Sequence, residues 1–404
     1  MTTLRSDARR TTSARYRLTL LALASATFGL GLAEFTVMGL MPEIGAGIGG
    51  SDETVGVGIT TYAIGVVIGA PVLTVLASRM RRKNFALLLV LLFVLGNVLT
   101  VFAVDPVSFS LARLLAGLPH GALFGVAAVI AKEVAPRGHT GRAIAAVGLG
   151  LMVANLVGVP AATWLGQVTD WRITFAVIAA VGVLTVIAIV LAVPRVADEP
   201  SSSATQELRG LLRPWLWVGV VIAGLGLSAQ FAVYSYISPI VANTAGTPGE
   251  LIPFVQASFG LGMTLGALAG GRLADWSVPK AMGIALVSIV VASAIYAGII
   301  NAPFAAFVGP FLIAFVCQLM GPAIQIALMN SSPKAPTLAA SLYHSAFNIA
   351  NAIGALTGGY FVARGWYAET PWIGAAYALI ALAIACTGWI VLGRQHRRHE
   401  ILSH

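Results

Sequence analysis

Long apolar runs separated by short polar clusters dominate the chain. Runs near 18–41, 54–78, 85–104, 107–131, 142–166 and 172–193 come first. After a polar break come runs near 214–240, 250–274, 281–301, 303–330, 338–362 and 372–393. A helix needs about 20 apolar residues to cross a bilayer, because each residue adds about 1.5 Å. Each run meets that length. The pattern predicts an all-α membrane protein of twelve transmembrane helices, arranged as six, an interruption and six. The first run exceeds the roughly 7–15 residues of a signal-peptide core, so it is expected to remain as the first span.

Composition agrees. Of the 404 residues, 58% are hydrophobic and only 10% charged, against about 25% charged in an ordinary soluble domain. The net charge of +9 raises the question of nucleic acid. The cations, however, sit in short clusters between apolar runs, where they orient a protein in a bilayer. No nucleic-acid partner is expected. Nearly all Lys and Arg fall in the termini, the segment after run six and alternate loops. The opposite loops hold only Arg172 and Arg364, with Glu43, Asp52, Glu53, Asp105, Asp170, Glu250 and Glu369. The positive-inside rule then places both termini and the central break in the cytoplasm. The expected organisation is an N-terminal half over 1–193, a Ser- and Pro-rich cytoplasmic linker over 194–213, a C-terminal half over 214–393 and a cytoplasmic tail over 394–404.

The halves repeat each other. Gly65-x3-Gly69 in run two matches Gly262-x3-Gly266 in run eight, and the register carries on to Lys83 and Lys280. Ala154-Asn155-x2-Gly158 in run five matches Ala350-Asn351-x2-Gly354 in run eleven. A duplicated bundle is expected to hold its substrate site between the halves, near mid-membrane. Small-residue ladders, such as Gly117-x3-Gly121 in run four, read as close helix crossings. Pro119, Pro160, Pro239 and Pro322 read as points where backbone bonding loosens.

Against this apolar background few groups carry chemistry. Glu34 lies deep in run one. A carboxylate there costs several kcal/mol unless it faces a cavity or a partner, which marks it as a proton carrier or, alternatively, a permanently neutral structural acid. Arg113 stays protonated. It either pairs with Glu34 in one state or braces backbone carbonyls, and the two residues need not lie at one depth. His120 either titrates near neutrality or is a packed, hydrogen-bonded residue. Phe35, Met38, Phe231, Tyr234 and Phe259 read as an apolar, aromatic substrate pocket, and Glu34, His120, Asn155, Gln256, Gln318 and Asn348 are its candidate polar, substrate-binding residues. Gln230, Gln325, His344 and Asn351 are further polar residues inside runs, serving either as glue between helices or as cavity lining. Tyr234 and Tyr236, two apart, should face different ways. Cys317 and Cys386 lie in apolar runs without metal-ligand spacing. No HExxH, GxSxG or GxxxxGK[ST] occurs, so neither an enzyme nor an ATP-driven pump is expected, and no cofactor or metal is implied.

These phrases carry a resemblance. GLAEFTVMGLMPEI (31–44), LARLLAGLPHGALFGVAAVIA (111–131), GVPAATWLGQ (158–167) and FAVYSYISPIV (231–241) are similar to the major facilitator superfamily. They look closest to the arabinose-efflux and chloramphenicol-resistance branch of its twelve-span drug:proton antiporter family. The family's GxLaDrxGRK loop corresponds to TVLASRMRRK (74–83), with Ser78 where the family has its acid; Arg79, Arg82 and Lys83 keep the basic character. The second-half copy, GGRLADW, keeps Asp275. The loss of the acid puts the family's cytoplasmic charge relay in doubt. The resemblance implies a monomeric bacterial inner-membrane exporter of a small amphipathic molecule, a drug or a chloramphenicol-like antibiotic, in exchange for protons. Glu34 and Arg113 would serve coupling, and Ser78, Arg79, Arg82, Lys83 and Asp275 the cytoplasmic gate. Export of a sugar or other metabolite by the same machinery is the alternative, and uptake by symport a third reading.

Overall fold

The computed structural model describes residues 13–76, 80–136, 139–194, 214–331 and 336–402, and these residues contain helices and no strand. The first three spans are Ser13–Gly39, Asp52–Leu76 and Arg82–Val101. The fourth is built from Pro106–Gly117 and His120–Val134. The fifth runs through Thr140–Val153, a π-helical turn Ala154–Gly158 and Val159–Val168, and the sixth is Trp171–Ala192. The second set comprises Pro214–Tyr234, Ile252–Trp276, Val278–Ile299, Ala305–Ser331, Pro336–Val362 and Thr370–Leu402. A short helix follows the first member of each set, Met41–Ile48 and Ile237–Thr244.

Eleven of these helices are long and apolar enough to cross a membrane. The exception, Pro336–Val362, has 27 residues. It falls short in hydropathy because His344, Asn348 and Asn351 interrupt it. Polar residues on a spanning helix must turn toward protein, since lipid offers them no hydrogen bonds. Asn348 and Asn351 are indeed buried. Elsewhere the outward faces are apolar: Leu88, Leu91, Leu95 and Leu99 are exposed at helical spacing along the third span, as are Leu184, Ile187 and Leu191 on the sixth. In water such stripes would be a liability; against lipid they are the solvent-facing surface.

Three of the four prolines act as expected. The fourth span breaks at Leu118-Pro119, the π-helical turn stands just before Pro160, and the seventh span stops at Tyr234, four residues before Ser238-Pro239. A proline lacks the N–H that would bond the residue four back, and its ring crowds that carbonyl. Pro322 differs: it lies inside the uninterrupted helix Ala305–Ser331.

Glycine sets the crossings. A methyl group at Gly65 or Gly69 would collide with the carbonyls of Leu114 or Leu118, so the second span lies directly on the fourth. Gly262 and Gly266 meet the carbonyls of Phe311 and Phe315 in the same way, placing the eighth span on the tenth. Between the halves, the second span packs against the eleventh and the fifth against the eighth. At the latter crossing Gly260 leaves room only for the backbone of Asn155 in the π-helical turn. The linker over 195–213 lies outside the described residues.

Candidate transport site

Glu34 sits in the first span where that helix passes between the halves, and its side chain is 2% exposed. One carboxylate oxygen accepts a hydrogen bond from Asn351 Nδ2 at 3.0 Å. The other lies 3.9 Å from His120 Nε2. The opposite ring nitrogen, Nδ1, is 2.8 Å from the hydroxyl of Tyr62. Four spans thus converge on one carboxylate: the first supplies it, the second and fourth supply Tyr62 and His120, and the eleventh supplies Asn351.

Arg113 lies at the same depth. It is fully buried, and its Nη2 donates to the carbonyl of Ala33, next to Glu34, at 2.7 Å. The guanidinium carbon stands 4.3 Å from the centre of the Tyr62 ring and 5.7 Å from that of Phe175. A cation over an aromatic face gains part of what it lost on leaving water. Nε and Nη1 find no hydrogen-bond partner among the described residues. In this arrangement Arg113 braces the first span, with two donors free close to the carboxylate.

The aromatic residues do not line an open pocket. Phe35 approaches Phe231 at 6.3 Å and Tyr234 at 5.9 Å between ring centres, Tyr234 stacks on Phe259 at 3.5 Å, and Phe231 meets Phe347 edge-on at 5.0 Å. Phe35, Met38, Phe231, Tyr234 and Phe259 are all buried. They form a plug between the halves. Tyr236, as its spacing from Tyr234 implies, faces elsewhere: its hydroxyl fills the space left by Gly56 on the second span and Gly359 on the eleventh. Gln256 occupies the space beside Gly39. Further out, Gln167 Nε2 donates to the carbonyl of Gly249 at 3.0 Å across the halves. These contacts close the face of the protein on which Asp52, Gly249 and Glu369 lie.

The remaining candidates scatter. Gln318 Nε2 approaches Gln230 Oε1 at 3.4 Å within the second half. Asn348 donates to the carbonyl of His344 on its own helix, and Asn155 to that of Leu151. His344 stacks on Phe124 at 4.5 Å, and Phe124 on His120 at 5.4 Å, a bridge from the eleventh span to the fourth. Asn351 and Tyr62 belong to the Glu34 cluster; the sequence offered Asn351 only as helix glue or cavity lining, and Tyr62 not at all. Two signals pointed to Asn351: it is polar in an apolar run, and it is the repeat partner of Asn155. Among the described residues no group of His, Cys, Asp and Glu converges as metal ligands would.

At the opposite end, Ser78 and Arg79 lie outside the described residues. Arg82 forms an ion pair with Glu133 at the end of the fourth span, so an acid absent from the loop is present on the neighbouring helix. Lys83 Nζ donates to the carbonyls of Val190 and Val193 at 2.8 and 2.6 Å. There it caps the C-terminal end of the sixth span, where bare carbonyls and the helix dipole favour a cation. Asp275 is exposed.

Among the described residues, twelve spans in two matched sets pack around a buried carboxylate, the architecture of a polytopic membrane protein. The chain belongs to the Major Facilitator Superfamily, whose family model matches residues 23–337 and 216–403. It is 35% identical to the "Inner membrane transport protein YdhP" of Escherichia coli K12, over 90% of this chain and 94% of that protein. Identity to AraJ of the same organism is 32%, over 91% of each chain. Identity to the "Probable sugar efflux transporter" of Helicobacter pylori is 26%, over 86% of this chain and 89% of that one. Among solved structures, the xylose transporter XylE from E. coli, in a partially occluded inward open conformation, superposes with a TM-score of 0.73. It covers 93% of this chain and 98% of that chain at 15% identity, a likeness of fold.

Proposed function

We propose that this transporter exports a small amphipathic molecule, such as a chloramphenicol-like drug, in exchange for protons, by alternating access in the bacterial inner membrane. The location follows the name of the YdhP relative and the segregation of Lys and Arg. That segregation makes the Asp52 face periplasmic and leaves both termini in the cytoplasm. The arrangement described above is then closed to the periplasm.

One observation carries the reading: a buried carboxylate, Glu34, whose partners come from both halves. Relative movement of the halves must change its surroundings. A group that binds a proton in one setting and releases it in another converts a pH gradient into work, about 1.4 kcal/mol per pH unit per proton. Arg113 holds the first span in place and leaves two donors beside the carboxylate. The aromatic plug of Phe35, Phe231, Tyr234 and Phe259 becomes the wall against which an apolar substrate packs when the periplasmic side parts.

Export of a sugar is the second reading. The H. pylori relative's name favours it, as does the polar pair Gln318–Gln230. One experiment separates the readings. Purified protein in liposomes is given an imposed pH gradient with a panel containing chloramphenicol, a lipophilic cation and arabinose. Gradient-driven movement of the first two supports drug export, movement of arabinose alone supports sugar export, and movement that ignores the pH gradient removes proton coupling.

A further inference from the structure

We propose that Asn351 is a positioning residue which keeps the empty carrier from changing state while Glu34 is ionised. The inference rests on the proton-coupled reading above. An exchanger loses its coupling if it releases its proton, takes no substrate and still reorients. Something must hold that one form.

The geometry points to the Asn351 amide. It reaches from the eleventh span to the first, one helix from each half, and donates to Glu34 at 3.0 Å with both side chains buried. The groups facing the carboxylate are Arg113 and His120 from the fourth span and Tyr62 from the second. His344, on the eleventh, is set apart by the Phe124 ring. Of the polar partners of Glu34 among the described residues, His120 belongs to its own half and Asn351 to the other.

An amide N–H bonds an ionised carboxylate about twice as strongly as a neutral acid. The tie between the halves is therefore strongest when the proton has gone. A returning proton weakens it. A substrate that contacts the carboxylate displaces it. Either event frees the halves to move, and reorientation becomes conditional on cargo. The unpartnered Nε and Nη1 of Arg113 give the carboxylate a place to turn within its own half once the tie parts.

The test needs no knowledge of the substrate. Liposomes containing the full-length protein and a trapped pH-sensitive dye are given a pH gradient with no transportable compound present. The wild type holds the gradient. Asn351→Leu dissipates it about tenfold faster, the worth of one hydrogen bond to an ionised group. Asn351→Ala, which adds no volume, does the same should the leucine disturb insertion. Asn351→Gln keeps an amide and leaks little. The double variant Glu34→Gln/Asn351→Leu holds the gradient again, because the leak runs through the titrating carboxylate. Gradient decay at the wild-type rate in both Asn351→Leu and Asn351→Ala overturns the role of Asn351. So does a double variant that leaks as fast as the single. In the same preparation, wild-type liposomes that move no panel compound with the gradient would overturn the proton-coupled reading instead, so the two failures are separable.

Discussion

The two halves share a scaffold and differ in chemistry. In the first half, Gly65 and Gly69 seat the second span on the carbonyls of Leu114 and Leu118; in the second, Gly262 and Gly266 seat the eighth on those of Phe311 and Phe315. At that shared register Tyr62 faces a counterpart in Phe259, Arg113 in Pro310 and His120 in Cys317. At these three positions the polar group of the first half is replaced by an apolar one in the second. Duplication preserved the crossings, which depend on the absence of a Cβ, and left the side chains around them free to diverge. To the surroundings of Glu34 the second half contributes an aromatic wall and the amide of Asn351. Under the proposed proton exchange this asymmetry has a use: the proton-binding group would sit in one bundle, and the other would report on it through the Asn351 contact, which movement can break.

The largest effect should fall on the shared scaffold. Gly69→Val and Gly266→Val each push a side chain into a carbonyl on the neighbouring helix. Overpacking of this kind costs about 1–3 kcal/mol. Both variants should lose thermal stability and yield to a similar degree, as followed by unfolding of the purified protein. Tolerance at one site with collapse at the other would break the equivalence of the halves.

Next comes the divergent chemistry. Tyr62→Phe makes the first half resemble the second at this position. It keeps the ring under Arg113 and removes the hydroxyl bonded to His120. The rate of pH-driven exchange should fall by about threefold to tenfold, as for the loss of a single buried hydrogen bond. Cys317→Ala, at the buried place equivalent to His120, should leave that rate within about twofold, because it removes no group of the Glu34 cluster. Equal losses would mean that the second half takes part in proton handling after all.

The smallest effect separates Glu43 from Ile240, which follow Pro42 and Pro239 in the two short helices. Burial, with Asp52 adding to it, holds the Glu43 carboxyl above its ordinary range, despite a backbone hydrogen bond and Gln167 acting the other way. A carboxyl whose folded-state value is raised favours the native state while protonated, and stability is lost as pH rises through the range above the unfolded value. Glu43→Gln should therefore raise the melting temperature slightly at pH 8 and leave it unchanged near pH 4. A gain confined to acid pH would contradict that assignment.

Much of this was legible in the chain. Twelve apolar runs, the repeat of Gly65/Gly69 in Gly262/Gly266 and the breaks beside Pro119, Pro160 and Pro239 follow from length, register and the missing N–H, all local properties. Glu34 stood out because a carboxylate in a bilayer needs a reason. Its partners did not stand out. Asn351 was one of several polar residues inside spans, and only the packing of the second span on the eleventh selects it over Asn348, which turns back to its own helix. The depth of Arg113 relative to Glu34 was likewise open until the bond to Ala33 fixed it. The aromatic residues suited a pocket by composition. Whether such rings line a cavity or fill it depends on how closely the halves approach, and here they fill it. The acid missing at Ser78 drew attention to the loop, whereas Arg82 pairs with Glu133 on a helix that no loop motif covers.

The central claim is that Glu34 carries the coupling proton, and Glu34→Gln tests it most directly. Glutamine keeps the size and the contact with Asn351 but cannot titrate. In liposomes with a pH gradient, the variant should exchange labelled substrate for unlabelled at a rate near that of the wild type, yet fail to accumulate it. Accumulation by Glu34→Gln to the wild-type level under the same gradient would contradict the account.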